Sequence, residues 1–479
     1  MLKSPLLATA ALLLPGIAMA QSPLPAFPGA EGFGASAKGG RGGAVHEVTT
    51  LADAGPGSLR ACVEASGPRT CVFRVSGTIA ADSEIAVANP FLTIAGQTSP
   101  GGVQVKAGKV LNAPAFSVGA SDVIVRHVAF MHGPSTARSM NGDAIRTNPG
   151  ADRVIFDHVD MFWGTDENID TNNAKNVTVQ WSMSVEGLMN STNTKSAHAM
   201  GALLSGDNIS WIRNLISTQF RRCPNAQTDG HFEMIDSVSY NCGQVFAETY
   251  DRTRGEVMTS NFVGNYFSKG PVSATYWRGA DGAWNPIHEI TLNDWDGAGQ
   301  RVHVLDNLGI MRRSATQPQE RAVDPKGNPG GGRKFLVSAP PKPLTTKSLG
   351  NPIQAYQDVL SFAGSGGGME GRRRSSAALR AVANVRGCKG SYINSPAEVG
   401  GWPTLPQPPA PADADHDGMP DTWEAAQGLD ENDPADRNAD NDGDGYTELE
   451  EYLSDLAGDN VRRIGTGTGA APRLNCGRG

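Results

Sequence analysis

Val154-Ile155-Phe156-Asp157-His158-Val159 is one copy of a short run that keeps returning along this chain. On either side stand Val123-Ile124-Val125-Arg126-His127-Val128 and Val177-Thr178-Val179-Gln180-Trp181. Further on come Ile209-Ser210-Trp211-Ile212, Glu233-Met234-Ile235-Asp236-Ser237-Val238, Val257-Met258-Thr259-Ser260-Asn261-Phe262 and Val302-His303-Val304-Leu305. The first six begin 23 to 32 residues apart, with Asn and Gly recurring after them. A strand-and-turn unit at such an interval marks a stacked solenoid, in which no coil can bury its inward face alone. Alternate strand residues point in and out, so outward side chains of successive coils align as rows on one surface. A β-sandwich would turn roughly every 8–12 residues. The spacing predicts an all-β fold, a parallel β-helix, for residues 21–399.

The rest of the chain reads around that body. Abundant glycine (58 residues) and few charged residues (19%) fit a turn-rich β protein better than a helical one. Residues 1–20 combine Met1-Leu2-Lys3, an apolar run and the ending Ala18-Met19-Ala20. That is the pattern of a signal peptide, too short to span a membrane. It predicts a secreted protein, extracellular or periplasmic, starting near Gln21. No later segment reads as a membrane span, and a monomer is expected. Six cysteines in an exported chain suggest disulfides, for which fifteen pairings are possible. Local closeness favours Cys62–Cys71 and Cys223–Cys242, which leaves Cys388–Cys476. Residues 312–350 read as long loops and 375–385 as a helix. Residues 400–412, with Pro403, Pro406, Pro408, Pro409 and Pro411, read as an extended linker.

Residues 413–456 carry sixteen acids against one arginine, net −15, so the remainder of this −8 chain is +7. Asp413, Asp415, Asp417, Asp421 and Glu424 stand at positions 1, 3, 5, 9 and 12 of a loop with Gly418 at position 6. Asp440, Asp442, Asp444, Glu448 and Glu451 repeat the pattern 27 residues on, with Gly445 in the turn. Calcium takes six to eight oxygens around such a turn. The loops resemble type-3 thrombospondin and dockerin-like repeats, and predict a structural calcium module rather than a sensor. Residues 457–479 form a tail.

Chemistry concentrates in residues 142–225. Asp143 comes first, then Asp166 and Asp170 within Trp163-Gly164-Thr165-Asp166-Glu167-Asn168-Ile169-Asp170. Lys195 and Arg221-Arg222-Cys223-Pro224 follow. If the runs stack, the acids can hold a hard cation and the bases can work beside it. That suits a polyanionic ligand. No dinucleotide, phosphate-loop or nucleic-acid motif stands in the context it would need.

Residues 27 to about 403 resemble the secreted pectate lyases of polysaccharide lyase family 1. The likeness is carried by Phe27-Pro28-Gly29-Ala30-Glu31-Gly32-Phe33-Gly34, Gly39-Gly40-Arg41-Gly42-Gly43 and Gly55-Pro56-Gly57-Ser58-Leu59-Arg60. Ala95-Gly96-Gln97-Thr98-Ser99-Pro100-Gly101, Asp157-His158, the Trp163–Asn168 stretch and Val399-Gly400-Gly401-Trp402-Pro403 complete it. The resemblance implies a right-handed parallel β-helix that cleaves polygalacturonate (pectin) by β-elimination with Ca2+. It implies calcium ligands at Asp143, Asp166 and Asp170, and a catalytic arginine at Arg222. It also implies a substrate-binding lysine at Lys195, with His198 in the same segment. Glu167 is set apart from the ligands, because adjacent strand residues point to opposite faces. The chain departs from the family at Asn225, where many relatives have a second arginine, near Gln227, and at Ile145, where a further carboxylate is expected. Two other functions compete. A hydrolase of the same fold would need two opposed carboxyls, and would leave Lys195 and Arg222 without a task. A non-catalytic glycan-binding or adhesive β-helix is compatible with Asn225.

Overall fold

A computed structural model describes residues 23–476 apart from 109–111, 136, 137, 139, 196, 252–254, 279–281, 283, 328, 329, 347, 348, 373, 462, 474 and 475. The expected signal peptide lies outside the described residues. No helix among the described residues is long and apolar enough to cross a membrane.

The repeated runs form a stack of parallel strands. It includes Val123–Arg126, Asp152–Asp157, Ala174–Gln180, the second half of Met200–Ile212, His231–Ile235, Met258–Val263 and Gln300–Leu305. Inward side chains fall in register as one column, Cys71, Ile94, Val125, Phe156, Val179, Trp211, Met234, Phe262 and Val304. All are buried. Each coil adds two more strands to two further stacks, so the chain is a three-sided β-helix.

The corner after each run is fixed by side chains. His127, His158, Trp181, Arg213 and Asp236 occupy it with φ between 48° and 55°. That left-handed conformation costs a non-glycine residue about 1–3 kcal/mol and persists only where the surroundings hold it. Here they do. Each N–H bonds the carbonyl that ends the next coil's strand, as from His158 to Gln180 at 3.1 Å. The His127 and His158 rings stack 4.7 Å apart, and Arg213 lies 5.4 Å from the Trp181 ring centre. One residue later, Ser182, Asn214, Ser237, Asn265 and Asn307 form a second ladder. Asn214 accepts from the Ser182 N–H and donates to the Val179 carbonyl, both at 2.7 Å. The recurring Asn of the sequence is this buried ladder.

Two of the three faces are covered. The glycine-rich residues 27–43 cross the outside of the first stack. The Gly34 N–H reaches Thr178 Oγ1 and the Gly40 N–H reaches Thr93 Oγ1, each at 2.9 Å. A methyl group at Gly34 would collide with the Val154 carbonyl. The second stack, an eight-stranded sheet, is covered by helices Pro352–Phe362 and Ser376–Gly387. The latter, capped by Ser375, is the helix expected from the sequence. Residues 400–412 are extended, but they lie on the body instead of standing clear of it. Gln104 donates to the Pro403 carbonyl at 2.9 Å, and Trp402 packs edge-on to Trp163. All three favoured disulfides are present.

Asp160 is wholly buried under this cover and accepts the Ser365 N–H at 3.1 Å. Burial pushes its carboxyl up to about 7. The folded state therefore keeps a proton that the unfolded state sheds near its ordinary value, so stability falls as pH rises from about 4 through about 7. Asp160→Asn removes that dependence. In urea unfolding at pH 5 and at pH 8.5, the balance between wild type and variant is expected to move in the variant's favour at the higher pH, by roughly 2–3 kcal/mol.

Candidate functional site

The third face carries the charge. Its strands are Ile85–Val87, Phe116–Val118, Ile145–Thr147, Glu167–Asp170, the first half of Met200–Ile212, Asn225–Thr228, Ala247–Tyr250 and Ile290–Asn293. Parallel register places Arg146, Asp170, Leu203, Asn225, Glu248 and Thr291 side by side in one outward row. Asp143, Asp166 and Arg222 sit on the turns that lead into these strands.

Asp143, Asp166 and Asp170 come together. Asp143 Oδ1 accepts the Glu167 N–H at 2.9 Å, while its Oδ2 is buried without a partner. Burial, then repulsion from Asp170 and Asp166, holds the Asp143 carboxyl well above the ordinary range. Burial likewise lifts Asp170 to about 6, against the pull of Arg146 at 3.2 Å. Oxygens of Asp166 and Glu167 and a ring nitrogen of His198 lie within 4.8 Å of one another. An orphaned carboxylate oxygen among mutually repelling acids fits a hard divalent cation such as calcium.

Glu167 shares this cluster, although strand alternation set it apart. The strand begins only at Glu167, and Asp166 is in the bend before it, so the alternation rule does not reach across the pair. Glu167 forms an ion pair with Arg222. Arg222 itself is left-handed, with φ 62°, and is followed by Cys223, which is bonded to Cys242 of the next coil. Asp166 Oδ1 is 2.6 Å from His198 Nε2 and 3.8 Å from Lys195 Nζ. The His198 ring is buried, and Lys195 is half exposed.

Sequence reasoning passed over two groups here. Asn193 donates to the Thr165 carbonyl at 2.8 Å and to Asp166 at 3.3 Å, and accepts the Lys195 N–H at 2.8 Å. An Asx turn at Asn193-Thr194-Lys195 was its signal. Arg146 had none, since only the register puts it opposite Asp170. Ile145 faces the core, so no carboxylate at that position could reach this surface. Asn225 donates to Glu248 at 3.0 Å, and Arg221 chelates the same carboxylate with two bonds of 3.0 Å.

The acidic loops form a second cluster. Asp413, Asp415 and Asp417 gather oxygens within 4.8 Å, as do Asp440, Asp442 and Asp444. Asp417 and Glu424 also converge with Asp436, which lies outside the loop pattern. Buried oxygens of Asp413, Asp415, Asp417, Glu424 and Asp436 have no hydrogen-bond partner. Burial and the neighbouring acids raise Asp417 to about 7 and Glu424 to about 8. In the second loop, the same causes raise Glu451 to about 7. Asp421 accepts the Ala414 N–H at 2.7 Å and Glu448 the Asn441 N–H at 3.3 Å, so the two loops repeat one geometry. Met419, Leu449, Tyr452 and Leu453 form a small core against Ala95 of the body. Arg41–Glu450 and Arg74–Asp413 pairs tie the module down, and Arg126–Asp459 ties down the start of the tail.

No family model matches the chain. Curated proteins named probable pectate lyase C do. The Aspergillus flavus protein is 35% identical over 442 residues, 91% of this chain and 94% of that one. The Aspergillus fumigatus protein is 33% identical over 449 residues, covering 92% and 96%. Among solved structures, a pectate lyase from Bacillus sp. N165 in complex with trigalacturonate aligns over 71% of this chain and 99% of its own, with 14% identity and a TM-score of 0.44. Identity above 30% along nine-tenths of both chains, on a parallel β-helix, settles the family: this chain belongs to the pectate lyases, which are carbon–oxygen lyases.

Proposed function

We propose that this chain is a secreted, calcium-dependent lyase that cleaves polygalacturonate by β-elimination. One observation supports it above others: three aspartates from two adjacent coils meet beside Arg222, with an orphaned Asp143 oxygen among them. Asp143, Asp166 and Asp170 would hold calcium, and Glu167 stands close enough to join them. Bound there, calcium would neutralise a uronate carboxylate and make the adjacent C5–H more acidic.

The chain's own groups do the rest. Arg222 acts at C5. A guanidinium is ordinarily protonated and a poor base, and the Glu167 carboxylate paired with it favours that charged form, so abstraction through Arg222 requires a guanidine that has first released its proton to solvent. The C5 proton leaves, the C4–O bond breaks, the departing oxygen is protonated, and a C4=C5 double bond remains. Lys195, half exposed beside Asp166, is placed to meet a uronate carboxylate. His198 and Asn193 fix the direction of Asp166. Asp143, Asp166 and Asp170 gather at one end of the row and Glu248, further along it, is taken up by Arg221 and Asn225, which leaves a hydrolase no free opposed pair, and family membership does not favour a purely adhesive role.

The acidic loops are a structural calcium module, with Asp436 a ligand beyond the repeating pattern. The test of the enzymatic reading is digestion of polygalacturonate with calcium and with chelator, followed in the near ultraviolet. An absorbing unsaturated product with calcium, and none with chelator, is expected. New reducing ends without absorbance would mean hydrolysis and would refute the proposal.

A further inference from the structure

Arg146 stands on the outward row one strand before Asp170, about 4.8 Å along it. Its side chain is 25% exposed, and its Nη2 donates to Asp170 Oδ2 at 3.2 Å. Its Nε is buried without a partner. A guanidinium carries five N–H donors in a planar fork, and the fork can hold a carboxylate with two of them at once. Arg221, on the same face, shows that use, gripping Glu248 with two bonds. Arg146 has the same fork and, among the described residues, makes a single hydrogen bond with it.

That bond goes to the oxygen a cation would need. Asp170 Oδ1 already accepts the Asn172 N–H at 2.9 Å, which leaves Oδ2 for a positive charge. Arg146 now holds Oδ2. Two cations at one carboxylate oxygen repel each other at short range. A divalent ion that also draws on Asp143 and Asp166 is the stronger competitor. The Asp143 carboxyl feels the Arg146 guanidinium too, but Asp143 is itself one of the groups assigned to calcium. On its other side, Arg146 is followed along the row by Ser117 and then Ala86, neither of them an acid. Once displaced from Asp170, the fork finds no carboxylate next to it on that side of the row.

We propose that Arg146 is a counter-ion exchanged for calcium: it holds Asp170 until the cation arrives, then grips the carboxylate of a second uronate, next to the one on calcium and on the Ser117 side. The proposal rests on the lyase reading above and adds a substrate-binding arginine to it. The test uses the full chain with Arg146→Gln, which keeps donors without the charge, and Arg146→Lys as the conservative control. Calcium binding at this face is read by isothermal titration without substrate, as the heat that disappears in the Asp143→Asn, Asp170→Asn chain. Arg146→Gln is expected to tighten it by about threefold or more, because the competitor for Oδ2 is gone. Trigalacturonate is titrated at saturating calcium in an Arg222→Ala background, so that nothing is cleaved. Its binding should weaken about tenfold with Arg146→Gln. In the chain with Arg222 intact, KM on polygalacturonate should rise about tenfold while kcat stays within about threefold. Arg146→Lys should recover most of each change. A residue that merely props Asp170 in place would give the opposite calcium result, weaker binding on its loss. Calcium bound no more tightly in Arg146→Gln, or trigalacturonate held as tightly as before, overturns the proposal. A wild-type chain that forms no unsaturated product refutes the lyase reading instead, and the two titrations still decide the role of Arg146.

Discussion

Replacing Arg222 by alanine is expected to lower kcat on polygalacturonate by about 10³-fold while KM moves less than about threefold. The size follows from the proposed role: a group that acts on a proton in flight is typically worth 10²–10⁴. The split follows from its place. Arg222 pairs with Glu167 at the acid cluster, whereas Lys195 stands further out, where we propose that it grips substrate. Arg221→Ala is the control. Its guanidinium is turned away to Glu248, one strand on, so kcat should fall far less. Equal losses in the two variants, or a change confined to KM in Arg222→Ala, would remove Arg222 from C5. Glu167→Gln keeps the shape but not the charge, and is expected to lower kcat as well.

The second large effect is thermal. Chelator should lower the melting temperature by several degrees even when Asp143→Asn and Asp170→Asn have disabled the proposed calcium site on the third face. A cation at about a hundred times its dissociation constant adds about 2.7 kcal/mol to the folded state. The module passes that gain to the body, because its small core includes Ala95 and its acids pair with Arg41 and Arg74. Asp417→Ala with Glu424→Ala should abolish the calcium-dependent shift. If calcium leaves the melting curve of the Asp143→Asn, Asp170→Asn chain unmoved, the loops hold no structural ion.

Much of this was legible in the sequence, for a physical reason. A coil that buries one column of side chains must repeat its apolar residues at the coil's length, so Val125, Phe156, Val179 and Trp211 announce their stack. Helix Ser376–Gly387 was visible through its cap. Helix Pro352–Phe362 was passed over, though Asn351 and Pro352 are an equally good start. What stayed hidden depends on contacts between distant segments. Gly34 and Gly40 read as family markers until the first stack was seen beneath them. The prolines of 400–412 gave the extended conformation but not the surface that it follows. Arg146 meets Asp170, and Asp436 meets Asp417, only through folding, and no local spacing encodes either meeting.

The Cys388–Cys476 bridge encloses the proline segment and both acidic loops in a single covalent ring. A protease that nicks this ring once leaves two polypeptides still joined, and only a reductant sets them apart on a gel. The chain can therefore suffer a break there and keep its pieces in place.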